Sequence, residues 1–293
     1  MTTDLRTLKA TIEDALDHHL PSESNLAQPL VDAMRYATLS GGKRLRPMLV
    51  CASCMAVGGS VEDALAPACA VEFVHAYSLI HDDLPAMDDD ELRHGLPSSH
   101  IQFGEGNAIL AGDALQALAF RTLAGAVNVP AAARLRAVEL LAEAAGWQGM
   151  VGGQHLDLAA ERQSLALEHL EALHSAKTGA LIRAAVQIGA VVGRQELPDE
   201  IFVLLSEFAG RLGLAFQVMD DVLDVTATTE ALGKPAGSDT AADKSTYVKL
   251  LGVDASRELA SSLLGEAQAF LRRANLQDDL LRALAERSVN RDF

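Results

Sequence analysis

Two runs of aspartates have the clearest potential for chemistry in this chain. Residues 81–90 read His-Asp-Asp-Leu-Pro-Ala-Met-Asp-Asp-Asp, and residues 217–224 read Gln-Val-Met-Asp-Asp-Val-Leu-Asp. Each run follows an apolar segment with helical spacing, so each is expected near the carboxyl end of a helix. Carboxylates at that end oppose the helix dipole. Bound cations therefore explain their presence better than a solvated helix end does.

The second run has a geometry that can be worked out from the helix repeat. At about 100° per residue, one stripe of the helix carries Gln217, Asp220, Asp221 and Asp224. In the first run, a proline at position 85 is expected to end the helix. Periodicity alone leaves open whether Asp88 or Asp89 accompanies Asp82. Oxygen ligands without clustered His or Cys favour Mg²⁺ over zinc, and no EF-hand loop pattern is present.

Basic side chains stand out because the formal net charge of the chain is −16. Such a charge is expected to repel nucleic acid and anionic membranes. The basic candidates are Lys43, Arg44, Arg46, Arg93, Lys177, Lys234 and Lys244. Each one alone is more often a surface charge. Together with two carboxylate clusters, they indicate a pocket for a polyanion bridged by metal.

Helices must position these residues. Apolar residues make up 49% of the chain and aromatic residues only 4%, so Ala and Leu supply most of the core and favour helix. Gly- and Pro-rich breaks divide the sequence into many helical segments, several of them apolar on more than one face. The pattern predicts one all-α domain over residues 1–293. A long polar loop at 233–243 suits a flap over a site.

Cysteine usage and hydropathy bear on the cellular compartment. The three cysteines at positions 51, 54 and 69 do not form a disulfide framework, and we interpret them as buried structural residues. No secretory signal is recognised at the start of the sequence. No uninterrupted apolar run reaches the roughly 20 residues that a membrane helix needs, and Arg183 interrupts the best candidate. A cytoplasmic protein without a membrane span is expected.

Several short motifs, in their order and spacing, give the chain a specific resemblance. The sequence resembles the trans-isoprenyl diphosphate synthases, and among them the bacterial farnesyl diphosphate synthases, from residue 41 to about residue 252. Besides the two aspartate runs, the motifs are Gly-Gly-Lys-Arg-Leu-Arg-Pro (41–47), Gly-Gly-Gln-His-Leu-Asp-Leu (152–158), Lys-Thr-Gly (177–179), Leu-Gly-Lys (232–234) and Lys-Ser-Thr-Tyr (244–247). The resemblance implies a homodimer and a bundle of about ten or more helices around a deep central cavity.

The resemblance also implies roles for individual residues. About three Mg²⁺ ions would be bound by Asp82, Asp88 and Asp220, with support from Asp83 and Asp224. The allylic diphosphate would be held by Arg93, Lys177, Lys234 and Lys244. Isopentenyl diphosphate would be held by Lys43, Arg46 and His75. The spacing of seven residues independently puts His75 and Asp82 on one helix face, although a lone histidine is more often a core residue.

The implied reaction is the condensation of isopentenyl diphosphate with dimethylallyl or geranyl diphosphate to give farnesyl diphosphate. Metals and cations would neutralise the departing diphosphate. The carbonyls of Lys177 and Thr178 and the side chain of Gln217 would flank the resulting carbocation. Isopentenyl diphosphate would attack it, and a proton would be lost, in a site that excludes water.

Product length is expected to depend on the residues below the first aspartate run. Tyr77 and Ser78 lie five and four residues before Asp82, about 6–7.5 Å deeper along the helix. In similar short-chain enzymes an aromatic residue at the fifth position blocks growth, which suggests a fifteen-carbon product. A helical wheel instead points Ser78 more directly under Asp82, so both residues stay candidates.

The chain departs from the family pattern at His94, where an arginine is usual, and at Ser238 and Val248. His94 would make one isopentenyl diphosphate contact sensitive to pH. The nearest alternative function is a geranylgeranyl or geranyl diphosphate synthase. A terpene cyclase would not need Lys43, Arg46 and His75. A silent partner subunit would not need two complete aspartate motifs, and a metal phosphohydrolase would need more clustered histidines.

Overall fold

A computed structural model describes residues 4–160, 163, 165–227 and 244–290, and this part of the chain is mostly helical. The α-helices of the described ranges are α1 (Leu5–His19), α2 (Gln28–Leu39), α3 (Leu45–Ala56), α4 (Val61–Asp82), α5 (Ser99–Phe103), α6 (Glu105–Ala124), α7 (Ala131–Ala145), α8 (Met150–Ala160), α9 (Leu167–His174), α10 (Ala180–Gly193), α11 (Asp199–Thr226), α12 (Tyr247–Leu251), α13 (Val253–Ala274) and α14 (Asp279–Val289). The prediction of an all-α bundle of about ten or more helices is confirmed.

Two short elements are not plain α-helix, and the sequence analysis predicted neither. A π-helix, Ser175–Gly179, joins α9 to α10 without a break. A two-residue hairpin pairs β1 (Leu92–Arg93) with β2 (Leu96–Pro97), just after the first aspartate run. Both elements lie at the predicted site.

Helix α4 lies at the centre of the bundle. Ser60 and Asp63 form a capping box at its start, in which the Ser60 hydroxyl accepts from the Asp63 amide. Its buried residues run almost continuously from Pro67 to Tyr77 because α3, α6 and α10 pack around it. The all-round apolar pattern of this segment correctly indicated a helix surrounded by others.

Helices α3 and α10 cross at close range, and small residues make this possible. A Cβ atom added to Gly189 would lie 2.2 Å from the carbonyl oxygen of Val50. The Ser53 hydroxyl donates a hydrogen bond of 2.7 Å to the Val186 carbonyl across the same contact. Gly193 lies against the backbone of Cys54 in the same way. The three cysteines are free and buried, which matches the predicted structural role.

A buried ion pair fixes the segment before α3. Arg44 has a left-handed backbone (φ 53°), and its guanidinium donates to Glu72 of α4 at 2.8 Å and to the Thr38 carbonyl at 2.8 Å. Both charged side chains are about 95% shielded from solvent. The pair ties the basic 41–47 segment to the central helix.

Helix α11 has 28 residues and is the one described helix whose length and hydropathy would suffice to cross a bilayer. The sequence analysis had instead chosen the segment around Arg183. In the structure α11 packs against α13 and α10, and it contributes Phe208, Leu212 and Val218 to the core. Its carboxyl end carries three aspartates, so we interpret it as a core helix of the bundle.

Candidate active site

The first aspartate run lies in a tight turn directly after α4. The chain folds back so that the amide of Asp88 donates to the carbonyl of Asp82 at 2.9 Å. Asp89 follows in a left-handed conformation (φ 53°) and is exposed. Asp82 and Asp88 both line the central cavity, which answers the question that periodicity left open.

The second aspartate run lies at the carboxyl end of α11 and faces the same cavity. Gln217, Asp220, Asp221 and Asp224 all line it, as the single stripe predicted. Asp221 is held on both sides, because it accepts hydrogen bonds from the Gln217 amide at 3.1 Å and from the Tyr247 backbone amide at 2.8 Å. The two acidic walls therefore line one space.

This space consists of two adjoining cavities of about 700 and 590 Å³. Asp82, Lys177 and Gln217 line both, so the cavities meet at these residues. The larger one contains the two aspartate runs. The other is lined by Tyr77 and Ser78 of α4 and by Phe216 of α11. The arrangement is a polar chamber with a partly apolar extension.

The π-helix brings Lys177 and Thr178 to the cavity. Its neighbours approach closely through glycines: a Cβ atom at Gly153 of α8 would lie 2.2 Å from the Lys177 amide nitrogen, and one at Gly213 of α11 would lie 2.9 Å from Cα of Gly179. The Thr178 hydroxyl donates to the side-chain oxygen of Gln217 at 2.9 Å. π-bulges of this kind are frequent at functional sites.

The two lysines of the predicted allylic site are paired with carboxylates. Lys177 donates to Asp157 at 2.5 Å, and Lys244 donates to Asp88 at 3.1 Å and lies 3.7 Å from Asp157. The four side chains are between 16% and 22% exposed. Lys234, the third predicted lysine, and Ser238 lie outside the described residues.

Arg93 lies on β1 and also lines the cavity. Its guanidinium binds Asp83 through Nε, 3.0 Å from Oδ1, and Asp90 at 3.1 Å. Asp83 is 2% exposed and points to Arg93. The structure thus places Asp83 as the partner of an arginine, and its predicted support of a metal ion stays a prediction.

The residues predicted to hold isopentenyl diphosphate are also brought together. Lys43, Arg46 and His75 line the second cavity with His94. Nε2 of His75 lies 3.3 Å from Nη1 of Arg46. Because a guanidinium can only donate, this nitrogen accepts. Burial and the neighbouring Arg46 lower the pKa of His75 well below its usual range, so the ring is neutral. Burial and Arg93 likewise lower the pKa of His94.

The donor set fits a divalent ion such as Mg²⁺. The pKa of Asp82 is raised to about 6, mainly by burial and also by the neighbouring Asp88 and Asp83 carboxylates, while Lys177 and Arg93 oppose the change. A bound cation would stabilise the charged form. Within the described ranges, no group of three His, Cys, Asp or Glu side chains is assembled to hold an ion unaided. Mg²⁺ commonly takes one or two carboxylates and completes its shell with water and substrate phosphates.

The sequence analysis assigned no role to four further residues that line the cavity, namely Asp90, Asp157, His174 and Asp221. Asp157 lies in the 152–158 motif, which was a signal, and Asp221 was already on the predicted stripe. His174 is buried, and burial lowers its pKa to about 4. Its ring lies against Tyr247, with 5.4 Å between the ring centroids. The sequence alone gave no reason to choose His174.

The geometry agrees with comparisons to known proteins. The family model described as polyprenyl synthetase matches residues 27–284. The chain belongs to the polyprenyl synthetase family. It is 50% identical over 274 residues to the farnesyl diphosphate synthase of Escherichia coli strain K12, covering 90% of each chain. It is 48% identical over 265 residues to the large subunit 1 of a heterodimeric chloroplastic geranylgeranyl pyrophosphate synthase of Arabidopsis thaliana, covering 88% of this chain and 70% of the other.

A solved structure supports the same family assignment. The geranyltransferase of Helicobacter pylori, complexed with magnesium and isoprenyl diphosphate, superposes with a TM-score of 0.88 at 33% identity. The match covers 97% of this polyprenyl synthetase and 95% of that chain. The prediction of a trans-isoprenyl diphosphate synthase from short motifs is therefore confirmed at the level of the family.

Proposed function

We propose that this polyprenyl synthetase condenses isopentenyl diphosphate with dimethylallyl and geranyl diphosphate to give farnesyl diphosphate. The observation that carries the proposal is the meeting of both aspartate runs at one cavity that Lys43 and Lys177 also line, with Arg46 lining the adjoining cavity. A prenyl diphosphate has one highly charged end and one apolar end. The polar chamber suits the charged end, and the apolar side chains of the second cavity, such as Tyr77 and Phe216, suit the apolar end.

Asp82, Asp88 and Asp220 would hold Mg²⁺, with further support from Asp224. When bound, the ions would neutralise charge on the allylic diphosphate as it leaves. Lys177, Lys244 and Arg93 would contribute fixed donors to the same oxygens. Charge-assisted hydrogen bonds of this kind are about twice as strong as neutral ones.

The chain itself would protect the cation that remains after the diphosphate leaves. Thr178 and Gln217 are joined by a hydrogen bond of 2.9 Å, and the amide of Gln217 is further bound to Asp221. This network fixes oxygen dipoles beside the polar chamber. Preorganised dipoles of this sort stabilise developing charge at little cost in reorganisation.

The fifteen-carbon product rests on Tyr77. Its side chain is 4% exposed and lines the second cavity, and its ring packs edge to face on His81 with 5.8 Å between the ring centroids. A large, well-packed ring at this position can block further growth of the prenyl chain. The identities of 50% to a farnesyl and 48% to a geranylgeranyl relative differ too little to decide the length. A geranylgeranyl or geranyl product is the alternative.

The test is a product assay with labelled isopentenyl diphosphate and each allylic primer in turn, with and without Mg²⁺. We expect farnesyl diphosphate from dimethylallyl and geranyl primers, and no turnover after chelation. A matched pair of variants makes the test specific to the site. Asp88→Asn should lower kcat by at least 10²-fold because Asp88 lines the cavity, whereas Asp89→Asn should change it little because Asp89 is exposed. Equal loss in both variants would contradict the site.

We further infer a single-domain subunit that forms a cytoplasmic homodimer. One apolar cluster includes residues from α1 to α14, which supports a single domain. Exposed apolar side chains on α6 and α8, namely Ile109, Leu110, Val151 and Leu156, offer a surface for a second copy. Light scattering should give twice the 31.0 kDa mass of the chain, and Leu110→Glu should reduce it.

A further inference from the structure

We propose that Asp157 is a positioning residue that orients the ammonium groups of Lys177 and Lys244 towards the allylic diphosphate. This inference rests on the function proposed above. Asp157 belongs to the 152–158 motif, for which the sequence suggested no role. Its carboxylate is the one group in the described ranges recorded in ion pairs with both lysines.

The contacts have a clear geometry. Both ammonium groups approach the same carboxylate oxygen of Asp157, Lys177 at 2.5 Å and Lys244 at 3.7 Å. Lys244 also binds Asp88 at 3.1 Å, so a chain of charges runs from α8 to the first aspartate run. All four groups line the larger cavity.

The backbone around Asp157 is fixed by close packing. Asp157 lies one helical turn after Gly153, on the same face of α8. Gly153 is the residue at which α8 touches the π-helix, where a Cβ atom would lie 2.2 Å from the Lys177 amide nitrogen. The contact sets the distance between the Asp157 and Lys177 backbones. The pair is therefore built into the helix packing.

Asp157 is charged in this setting. Burial alone would raise the pKa of Asp157, but the two lysines outweigh burial and bring the pKa below its usual value. The remaining ring beside it, His174, is neutral because burial lowers its pKa to about 4. The charged carboxylate thus accepts a hydrogen bond from Lys177 and attracts the ammonium group of Lys244.

A fixed carboxylate is useful because lysine side chains are flexible. Each has several freely rotating bonds, and part of this rotamer entropy must be lost whenever its ammonium binds an anion at a defined place. An ammonium has three protons. On Lys177, one can remain on Asp157 while two point to the diphosphate. Lys244 donates to Asp88 and is drawn towards Asp157 by charge at 3.7 Å, so the direction of each lysine is set before the substrate arrives.

Two physical effects of removing the charge have opposite signs, which makes the proposal testable. Asp157→Asn takes one negative charge from the chamber, and charge alone would strengthen the binding of an anion. Lost orientation would instead slow the step in which the diphosphate leaves. We therefore expect kcat to fall by 10- to 100-fold. The Kd for a charged analogue of geranyl diphosphate that cannot release its diphosphate should stay within threefold or become tighter.

The experiment measures kcat with geranyl and isopentenyl diphosphates, and the Kd of the analogue by calorimetry. It uses the parent, Asp157→Asn, Asp157→Glu and Asp14→Asn. Asp157→Glu restores the charge at a shifted position, and it should recover part of kcat. Asp14→Asn also removes one acid, but from the exposed face of α1 outside both cavities, and it should match the parent.

Three results would overturn the proposal. The first is a kcat within twofold of the parent for a folded Asp157→Asn. The second is a loss that lies wholly in the Kd. If Asp157→Asn does not fold, Asp157→Glu decides, and parental kcat in that variant would show that the carboxylate need not be well placed. A parent without any prenyl transfer would instead refute the proposed function.

Discussion

Replacing Tyr77 with alanine should lengthen the product. Tyr77 lies five residues before Asp82, which is about 7.5 Å along the axis of α4. Its buried ring lines the inner cavity, so it occupies space that a longer prenyl chain would need. In the Tyr77→Ala variant, a fourth isoprene unit could enter this space.

The size of the effect follows from the apolar surface that the extra unit would bury. An isoprene unit has five carbons, and burial contributes about 0.8 kcal/mol per carbon group, so the upper limit is about 4 kcal/mol. At about 1.4 kcal/mol per factor of ten, this corresponds to an increase of up to roughly 10³-fold in kcat/KM for farnesyl diphosphate used as a primer.

The assay separates labelled products by chain length, starting from geranyl and from farnesyl diphosphate. Ser78→Ala is the matched control. The Ser78 hydroxyl donates to the carbonyl of His75 at 2.8 Å, and its loss removes little volume, so the product should be unchanged. An active Tyr77→Ala enzyme that still stops at fifteen carbons would refute the assignment. A longer product from Ser78→Ala alone would show that Ser78, and not Tyr77, limits the length of the product.

Three further predictions concern stability. Gly189→Ala should lower the free energy of unfolding by denaturant by about 1–3 kcal/mol, because the added methyl group meets the backbone of α3. The control Gly265→Ala, in open space on α13, should be neutral or stabilising. Equal effects of the two substitutions would contradict this packing. Glu72→Gln should lower the same free energy of unfolding by about 3–5 kcal/mol, because it leaves Arg44 buried beside a neutral partner. A loss below about 1 kcal/mol would be inconsistent with an ion pair shielded from water. With divalent ions chelated, the Asp82 pKa of about 6 exceeds its unfolded value, so the folded state binds more protons. The parent should therefore lose about 3 kcal/mol relative to Asp82→Asn as pH rises from about 4 to 6, and a flat difference would refute the shift.

The sequence predicted the parts of the site that depend on regular helix. The stripe from Gln217 to Asp224 was correct because α11 continues unbroken through it. The helix break at Pro85 was also correct. Motif order was sufficient to recognise the family, since it reflects which side chains must meet. These inferences depend on local spacing, which a single sequence displays directly.

The sequence could not settle features that depend on how the chain leaves a helix. The choice of Asp88 over Asp89 required the turn in which the Asp88 amide returns to the Asp82 carbonyl. The π-helix at Ser175–Gly179 changes the hydrogen-bond register over only five residues, too few for an apolar period to show. The pairing of Arg93 with Asp83 depends on a hairpin of two-residue strands.

The tight crossing of α3 and α10 also affects how the protein can be studied. Cys51, Cys54 and Cys69 lie in this region of the bundle, and burial raises the pKa of each thiol, to about 12 for Cys54 and Cys69. Thiolates, not thiols, attack maleimide reagents, so the native sulfurs should stay unlabelled while the bundle is folded. A fluorophore on one cysteine introduced at the surface would then report from that position alone, and slow labelling of the native thiols would record the opening of the core.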